Sequence, residues 1–543
     1  MQYDALIVGG GMAGLTAATY LSKSGAKILL CEKEDELGGL VRTFQRNGFT
    51  YDGGIRAFEN SGVLFPMLKQ LGIDLPLVPN RVTLGIEDRV IPLESMDNIR
   101  DYEELLIHFY PHVTQEIHAI TQQMQKIMHY MDVQYGINNP LFLDIKQDRD
   151  YFVKVVFPWI FKYAITSPKI SSLTLPVVDF LRQFTNDQSL LDIITQHFFQ
   201  RTPAFFALSY LKLYLDYYYP LGGTSQLVHK LQELILQYGG EIRSGTPIIT
   251  LDPQRQVVFT ASGENIAYHH LVWAADLKTF YDLVDPLNLQ DEAVQAAFIK
   301  REAELTGKYG CDSVFTLFLA VDLDPSYFAQ KASAHFFYTP HREGQTQAGP
   351  LPLAGSRQDV ETWLERFYEL TTYEMSIPVL RDASLAPAGK TGLIISMLFD
   401  YQLTRHIKEQ GWYGDFKTLS QRLILKTLDS SIFPGLSAVI LDQFSPTPLT
   451  MQRITGTLDG AITGWAFTNN PFPAENRLPR VANAIKTPLP HVVQAGQWTF
   501  SPSGFPTALI TGKMAADQIS KEIKKNIAGE QQRYVGPNWL DSF

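Results

Sequence analysis

Cysteine is scarce in this chain: Cys31 and Cys311 are the only two among 543 residues. That excludes a disulfide framework, and Cys31 falls in a run that reads as a buried strand, so a reducing compartment is expected. Excess positive charge is missing too, with 46 Lys and Arg against 56 Asp and Glu and a formal net charge of −10. A nucleic-acid partner is not expected, because such proteins present a basic face to the phosphates. No uncharged run is long enough to cross a bilayer, and Met1 lies so near the first apolar run that no leader peptide is expected. The expected location is cytoplasmic, with contact to a membrane surface left open. Other absences concern chemistry. No His or Cys cluster has metal-ligand spacing, so no metal is expected. There is no G-x-S-x-G elbow and no second G-x-G-x-x-G for a separate NAD(P)H domain.

What is present begins at the N-terminus, where YDALIVGGGMAGLTAATYLSKSGAKILLCEK puts a strand, a G-x-G-x-x-G turn, a helix and a second strand ending in an acid into one short unit. Ala5 to Val8 are apolar enough for a central parallel strand. Gly9 permits the tight turn, Gly11 lets the backbone approach a pyrophosphate, and Gly14 lets the helix pack on the strand. The helix expected from Met12 to Lys23 turns its first amides, those of Met12 and Ala13 among them, toward the phosphates. Glu32 is placed to bind ribose hydroxyls and to disfavour a 2′-phosphate, with Lys33 beside it.

The next residues, KEDELGGLVRTFQRNGFTYDGGIRAF, carry Gly38, Gly39, Leu40 and Arg42, then a strand-like NGFTYD running into Gly53, Gly54, Ile55 and Arg56. At the other end, HVVQAGQWTFSPSGFPTALITGKMAADQI reads as a strand, Gly496 and Gln497, a loop, and a helix starting near Phe505, followed by Pro506 and Thr507. Internal blocks supply Pro220, Gly222 and Gly223, then Gly239, Gly240 and Ile248, then Ala274 and Asp276. Later come Pro378, Asp382, Ser384, Ala386, Pro387 and Gly389, and the stretch SPTPLTMQRITGTLDGAITGWAF. These blocks resemble FAD-dependent flavoproteins of the phytoene desaturase, carotenoid isomerase and retinol saturase type, within the flavin amine oxidase superfamily. The chain departs from the pattern at Ala274, where Asn is common, and at Gln497, where an acid is more usual for a ribityl hydroxyl.

The resemblance implies an α/β fold: a Rossmann-like FAD domain of glutathione reductase type 2, interleaved with a mixed-sheet substrate domain and a helical insertion. Its segments are expected at 1–100, 220–280 and 481–525 for the FAD domain, 101–219 for the aromatic-rich insertion, 281–480 for the substrate domain, and 526–543 for a tail. It also implies non-covalent FAD, since no cysteine stands near the C-terminal motif. Adenine would be met by the backbone of Ile248. The amides of Phe505, Thr507 and Ala508 would face the flavin N1/O2 edge, Pro506 having none.

Catalytic side chains are not evident. Ile55, Arg56 and Trp465, with the loop through Phe467, are flavin-proximal candidates. The Asp52 to Arg56 loop should pass beside the isoalloxazine, its small glycines allowing close approach. Arg56 either supplies a cation to the reduced ring or a polar substrate group, or pairs with Glu59 at the surface. His335 and His341 are candidates for acid or base work only as any histidine is, and most such residues are satisfied by hydrogen bonds. SVFTLFLAVDLD alternates like a half-buried strand. YFVKVVFPWIFKYAITSPKISSLTLP mixes rings with three lysines and no acid, which suits a bilayer interface or a buried helical subdomain. FFQRTPAFFALSYLKLYLDYYYP could wall an apolar tunnel. The leading expectation is an oxidoreductase acting on carbon-carbon double bonds of a long apolar carotenoid or isoprenoid, by desaturation, saturation or cis-trans isomerisation. The alternatives are a flavin amine oxidase and a flavin-binding protein without turnover. The electron acceptor is left open.

Overall fold

A computed structural model describes residues 2–477 and 480–534, with side chains to Asn526 in the last helix. Contacts divide the chain into two units. One comprises Met1–Gly39, Val228–Thr306 and Ala474–Phe543, the other Leu40–Leu227 and Gly307–Pro473. The helix Phe505–Tyr534 runs through the start of the expected tail, whose part from residue 535 on lies outside the described residues.

In the first unit, strand β1 (Gln2–Val8), helix α1 (Met12–Lys23) and strand β2 (Ile28–Cys31) form where the sequence puts them. β1 is a continuous apolar run without alternation because both of its faces are covered, and Ala5, Leu6 and Ile7 are fully buried. It pairs in parallel with β2 on one side and with Asn265–Trp273 on the other. Glu241–Arg243 extends the parallel part beyond β2, and Val492–Gln494 runs parallel to Asn265–Trp273. Val257–Thr260 and Asn265–Trp273 form an antiparallel hairpin, with Ile248–Asp252 at the sheet edge. α1 packs against the helix Phe505–Tyr534 through small residues. A Cβ on Gly512 would come within 2.4 Å of the Ala13 carbonyl oxygen, so only glycine lets the helices approach this closely.

The second unit holds a seven-stranded mixed sheet, in the order Ile440–Phe444, Ser313–Val321, Thr391–Phe399, Tyr373–Ser376, His335–Thr339, Val82–Ile86, Arg89–Leu93. Ser313–Val321 is not half-buried as its alternation suggests. Phe315, Leu317, Leu319 and Val321 enter the core under the helices Arg357–Leu370 and Tyr413–Asp429. Phe318 and Ala320 meet Phe49, Tyr51 and Ile394 on the opposite face. The alternation thus separates two cores instead of core from solvent.

The aromatic-rich region is helical, and Ile117, Ile120, Met124, Ile127, Met128 and Met131 bury one stripe of the helix Thr114–Tyr135. Next comes a helical stretch from Arg149 to Ser171 with a π-type turn at Phe152–Val156. Pro158 explains the widened turn: it lacks the amide that would bond Lys154, and its ring crowds that carbonyl.

One buried carboxylate ties the second unit together. Asp52, fully buried at the end of the strand Phe49–Asp52, accepts from Thr43 Oγ1, Thr224 N and Thr224 Oγ1, each at 2.9 Å, and from Tyr219 OH at 2.8 Å. Ser225 and Thr43 exchange two further bonds. Asp52→Ala leaves four side-chain or backbone donors facing a dry interior, and we expect a loss of about 3 kcal/mol or more in urea unfolding. Asp52→Asn, which keeps one acceptor, should lose less.

Candidate functional site

The turn between β1 and α1 is built by excluding side chains. Gly9 has φ +104°, and a Cβ there would lie 2.7 Å from the Ala274 carbonyl oxygen. A Cβ on Gly14 would fall 1.9 Å from the Gly9 carbonyl oxygen. Gly11 differs: it caps α1 in an extended conformation, and a Cβ there would meet nothing within 4 Å. The space above Gly11 is therefore free, and the first intrahelical bond runs from Leu15 N to Gly11 O. The amides of Met12, Ala13 and Gly14 have no i−4 carbonyl inside the helix, which makes them donors for an anion.

Glu32 follows β2 directly, and its carboxylate is already engaged. Oε2 accepts from Gly10 N at 2.6 Å and Oε1 from Glu34 N at 3.0 Å. It thus fastens the glycine turn while keeping lone pairs for a ligand hydroxyl. Lys33 pairs with Glu34 at 3.1 Å. Gly38 donates to Gly10 O at 2.8 Å, and Gly39 lies against Gly11 with φ +58°. Ile248 is half-buried at the head of its strand, and the Ala274 amide bonds Val8 O. Gly496, with φ +101°, donates to Thr511 Oγ1 and lies against Ala13, while Gln497 is half-buried. The C-terminal helix does start at Phe505, with Pro506 next and the Thr507 hydroxyl directed at Pro502 O. One expected donor is not available: the Ala508 amide is taken by Gly504 O.

The remaining candidates lie in the second unit. Gly53 N bonds Arg42 O at 2.6 Å and Ile55 N bonds Leu40 O at 3.0 Å. A Cβ on Gly54 would lie 1.9 Å from Leu40 O, so this glycine answers the protein's own backbone, whatever it does for a ligand. Trp465 is buried and bridges to Gly310.

Arg56 is not at the surface and does not pair with Glu59. Only 7% of it is exposed, and its guanidinium donates to Asp52 O, Gly54 O and Ser396 Oγ at 2.6–2.8 Å. Burial pulls its pKa down, and the charges of Glu374 and Asp52 oppose the shift. Glu59 instead bonds the Ser61 hydroxyl, and burial pushes its carboxyl up to about 7.

Residues the sequence did not single out complete a polar cluster around Arg56. Arg381 donates to the Arg56 carbonyl, to Ala334 O and to Ser376 Oγ, and lies 4.3 Å from the Tyr219 ring centre. Glu374 accepts from His335 Nε2 at 2.9 Å, while His335 Nδ1 meets Asn80 Nδ2 at 3.1 Å. Burial pulls His335 down, and the neutral tautomer protonated on Nε2 satisfies both contacts. Burial alone would push Glu374 up, but the His335 hydrogen bond and the Arg56 charge outweigh it and hold the carboxyl below its ordinary value. His335 is thus a satisfied histidine, while His341 accepts from Glu343 N near the surface. No residue-by-residue signal marks Glu374 or Arg381 in the sequence, because their roles depend on strand register.

Comparison with known proteins now bears on this arrangement. The description "flavin containing amine oxidoreductase" matches residues 12–322, more than half of the chain. The chain belongs to that family. It is an oxidoreductase that uses a flavin, and the cradle at Gly9, Gly11 and Gly14 fits such a group, having room at the one glycine where a pyrophosphate would approach. Prolycopene isomerase of Daucus carota is 26% identical over 481 residues, covering 83% of this chain and 70% of that protein. All-trans-retinol 13,14-reductase of Danio rerio is 21% identical over 551 residues, 91% of this chain and 82% of that one. Among solved structures, cyclohexylamine oxidase from Brevibacterium oxydans IH-35A has a TM-score of 0.56 at 12% identity, over 96% of this chain and 99% of that chain, a likeness of fold alone.

Glu32→Ala removes the clamp on Gly10 together with the carboxylate expected to meet a ribose hydroxyl. Flavin affinity should fall by about 1–3 kcal/mol, or roughly one to two decades in Kd, by fluorescence titration of the apoprotein. A branched residue at Gly11 should abolish binding by filling the space above the helix amides.

Proposed function

We propose that this protein binds FAD non-covalently and acts on carbon-carbon double bonds of a long apolar polyene or isoprenoid, by desaturation, saturation or cis-trans isomerisation. The observation that carries the substrate class is a continuous path of aromatic rings in the second unit, in a chain whose matched relatives are named for prolycopene and retinol. Phe198 meets Tyr210 at 5.5 Å, Tyr210 meets Tyr214 at 4.9 Å, Tyr214 meets Phe337 at 4.9 Å, and Phe337 meets His335 at 5.0 Å between ring centres. Three of these rings, Phe198, Tyr210 and Phe337, are only half-buried although they come from the helical region and from a central strand. Such a wall suits a hydrocarbon, whose burial is favourable by about 0.8 kcal/mol per CH2.

Bound FAD would supply a hydride acceptor or donor at N5. This chain's residues position, exclude water and set charge. Met12, Ala13 and Gly14 present amides to the pyrophosphate, Glu32 accepts from the ribose, and Ile248 offers backbone to adenine. Gly496, Gln497, Phe505 and Thr507 serve the ring and ribityl end. Ile55, Arg56 and Trp465 are assigned by resemblance to the neighbourhood of the reacting ring, where Arg56 would hold a fixed positive charge. Its partners are carbonyl oxygens and a hydroxyl, so the guanidinium keeps its full charge. The cysteines fit non-covalent binding: both are buried, and burial pushes Cys31 up to about 12. An amine oxidase would want a lysine beside N5. The buried lysine among the described residues, Lys513, is held by Asp517 at 2.6 Å.

The test is anaerobic incubation of the purified protein with phytoene, with lycopene isomers, and with primary and secondary amines, following flavin absorbance and isomer composition. Polyene conversion or polyene-dependent bleaching is expected. Bleaching by amines alone would put the amine oxidase reading first, and inertness to all would leave a binding protein.

Delivery of such a substrate supports contact with a membrane surface. Val153, Phe157, Phe161 and Ile165 are spaced by four along one helical stretch and are 60–67% exposed, with Ile160 beside them. No described helix is long and apolar enough to cross a membrane, so this face would lie in the interface, near Lys154 and Lys162. Trp159 is not part of it: its indole donates to the Val133 carbonyl. We expect wild type to float with anionic liposomes, and Phe157→Ser with Phe161→Ser to lower the bound fraction several-fold at unchanged flavin content.

A further inference from the structure

The absence of metal-ligand spacing in the sequence does not extend to space. In the first unit His270, His491 and Glu522, which are far apart in the chain, bring their ligand atoms within 4.8 Å of one another. His270 lies in the strand Asn265–Trp273 and is 3% exposed, and its Nδ1 is buried without a hydrogen-bond partner. A buried imidazole nitrogen left unpaired is costly, which makes this atom the point to explain. The Glu522 Oε2 atom, on the helix Phe505–Tyr534, is 3.3 Å away without forming an aligned hydrogen bond. That separation matches the edge of a tetrahedron with bonds of about 2.0–2.1 Å to nitrogen and oxygen.

His491 immediately precedes the strand Val492–Gln494, and its ring centre is 5.4 Å from that of His270. Its φ is +61°, in the left-handed region, while its carbonyl is held by Leu271 N at 2.9 Å. A non-glycine residue stays in this conformation only where its surroundings impose it. The three side chains line one cleft of about 260 Å³ with Lys486 and Gln518. Lys486 does not fill the position, since its ammonium bonds Asn483 Oδ1 at 3.1 Å.

We infer that His270, His491 and Glu522 form a binding site for one divalent transition-metal ion of the zinc class, which clamps the C-terminal helix to the sheet. Two imidazole nitrogens and one carboxylate suit Zn2+ and the neighbouring Co2+, Ni2+ and Cu2+ far better than Ca2+ or Mg2+. Desolvation pulls the His270 pKa down, which favours the neutral form a metal requires. The role is structural. Glu522 is seventeen residues beyond Phe505, about 26 Å along the helix at 1.5 Å per residue, so the ion is remote from the helix end proposed to face the flavin.

The experiment uses the flavin-loaded full chain after chelator treatment and desalting. Zn2+ binding is read by calorimetry, Co2+ binding by visible absorption, and stability by thermal unfolding. We expect one Zn2+ per chain, a higher Tm with added Zn2+, and a Co2+ spectrum of low-coordinate type. His491→Ala, on the exposed side, and Glu522→Gln should each weaken binding by about a hundredfold or more and abolish the Tm shift, with flavin content unchanged. His269→Ala, next in the strand but outside the cluster, should leave binding intact. Absence of stoichiometric Zn2+ binding in wild type, or unchanged affinity in His491→Ala and Glu522→Gln, would overturn the assignment.

Discussion

Backbone packed directly on backbone is the constraint on which the first unit depends. Gly14 against Gly9, Gly9 against Ala274, and Gly512 against Ala13 are three places where a methyl group would meet a carbonyl oxygen at less than van der Waals distance. These contacts set α1 on the end of β1 so that its first turn faces outward over Gly11, and they seat the C-terminal helix on α1. The open space over the first amides of α1 is a consequence of that packing. A helix N-terminus has unsatisfied amides wherever it occurs, but only a side-chain-free approach makes them reachable by a diphosphate. Glu32 joins the same arrangement from the next strand, because its bond to Gly10 holds the turn it would serve.

In the second unit the governing interaction is the solvation of buried charges by neutral hydrogen-bonding groups. Asp52 is met by hydroxyl and amide donors, Arg56 by two carbonyls and a serine, and Arg381 by two carbonyls, that of Arg56 among them, and a serine, while the Nε of each arginine is left without a partner. Glu374 keeps its charge because His335 and Arg56 face it. Such clusters contribute little net stability but cost several kcal/mol when one member is removed. Their value is fixed placement of a cation and a carboxylate at one end of an aromatic path. A polyene needs few titrating groups and much apolar surface, and this unit offers that combination.

The unit made of β1, α1 and β2 was legible because its signals are local. Gly9, Gly11, Gly14 and Glu32 sit at spacings set by a single turn, and helix α1 begins and ends where the sequence places it. The strand Ser313–Val321 was misread in burial because alternation reports two different environments and does not say that one of them is water. Arg56 was legible as unusual but not as buried, since its partners Ser396 and Arg381 lie more than three hundred residues away in sequence. Glu374, Arg381 and the His270, His491 and Glu522 cluster carry no local pattern. They are made by strand register and by a helix returning from the far end of the chain. The aromatic stretch from Tyr151 to Pro176 does not show in sequence which of its rings face out, and only the Val133 carbonyl marks Trp159 as turned inward.

The most direct measurement is the identity and stoichiometry of the cofactor carried by the purified chain. The account predicts a yellow protein that releases one FAD per chain on heat or acid denaturation, with no flavin remaining on the polypeptide by mass spectrometry. A colourless protein that fails to take up added FAD, or flavin retained covalently after denaturation, would contradict it.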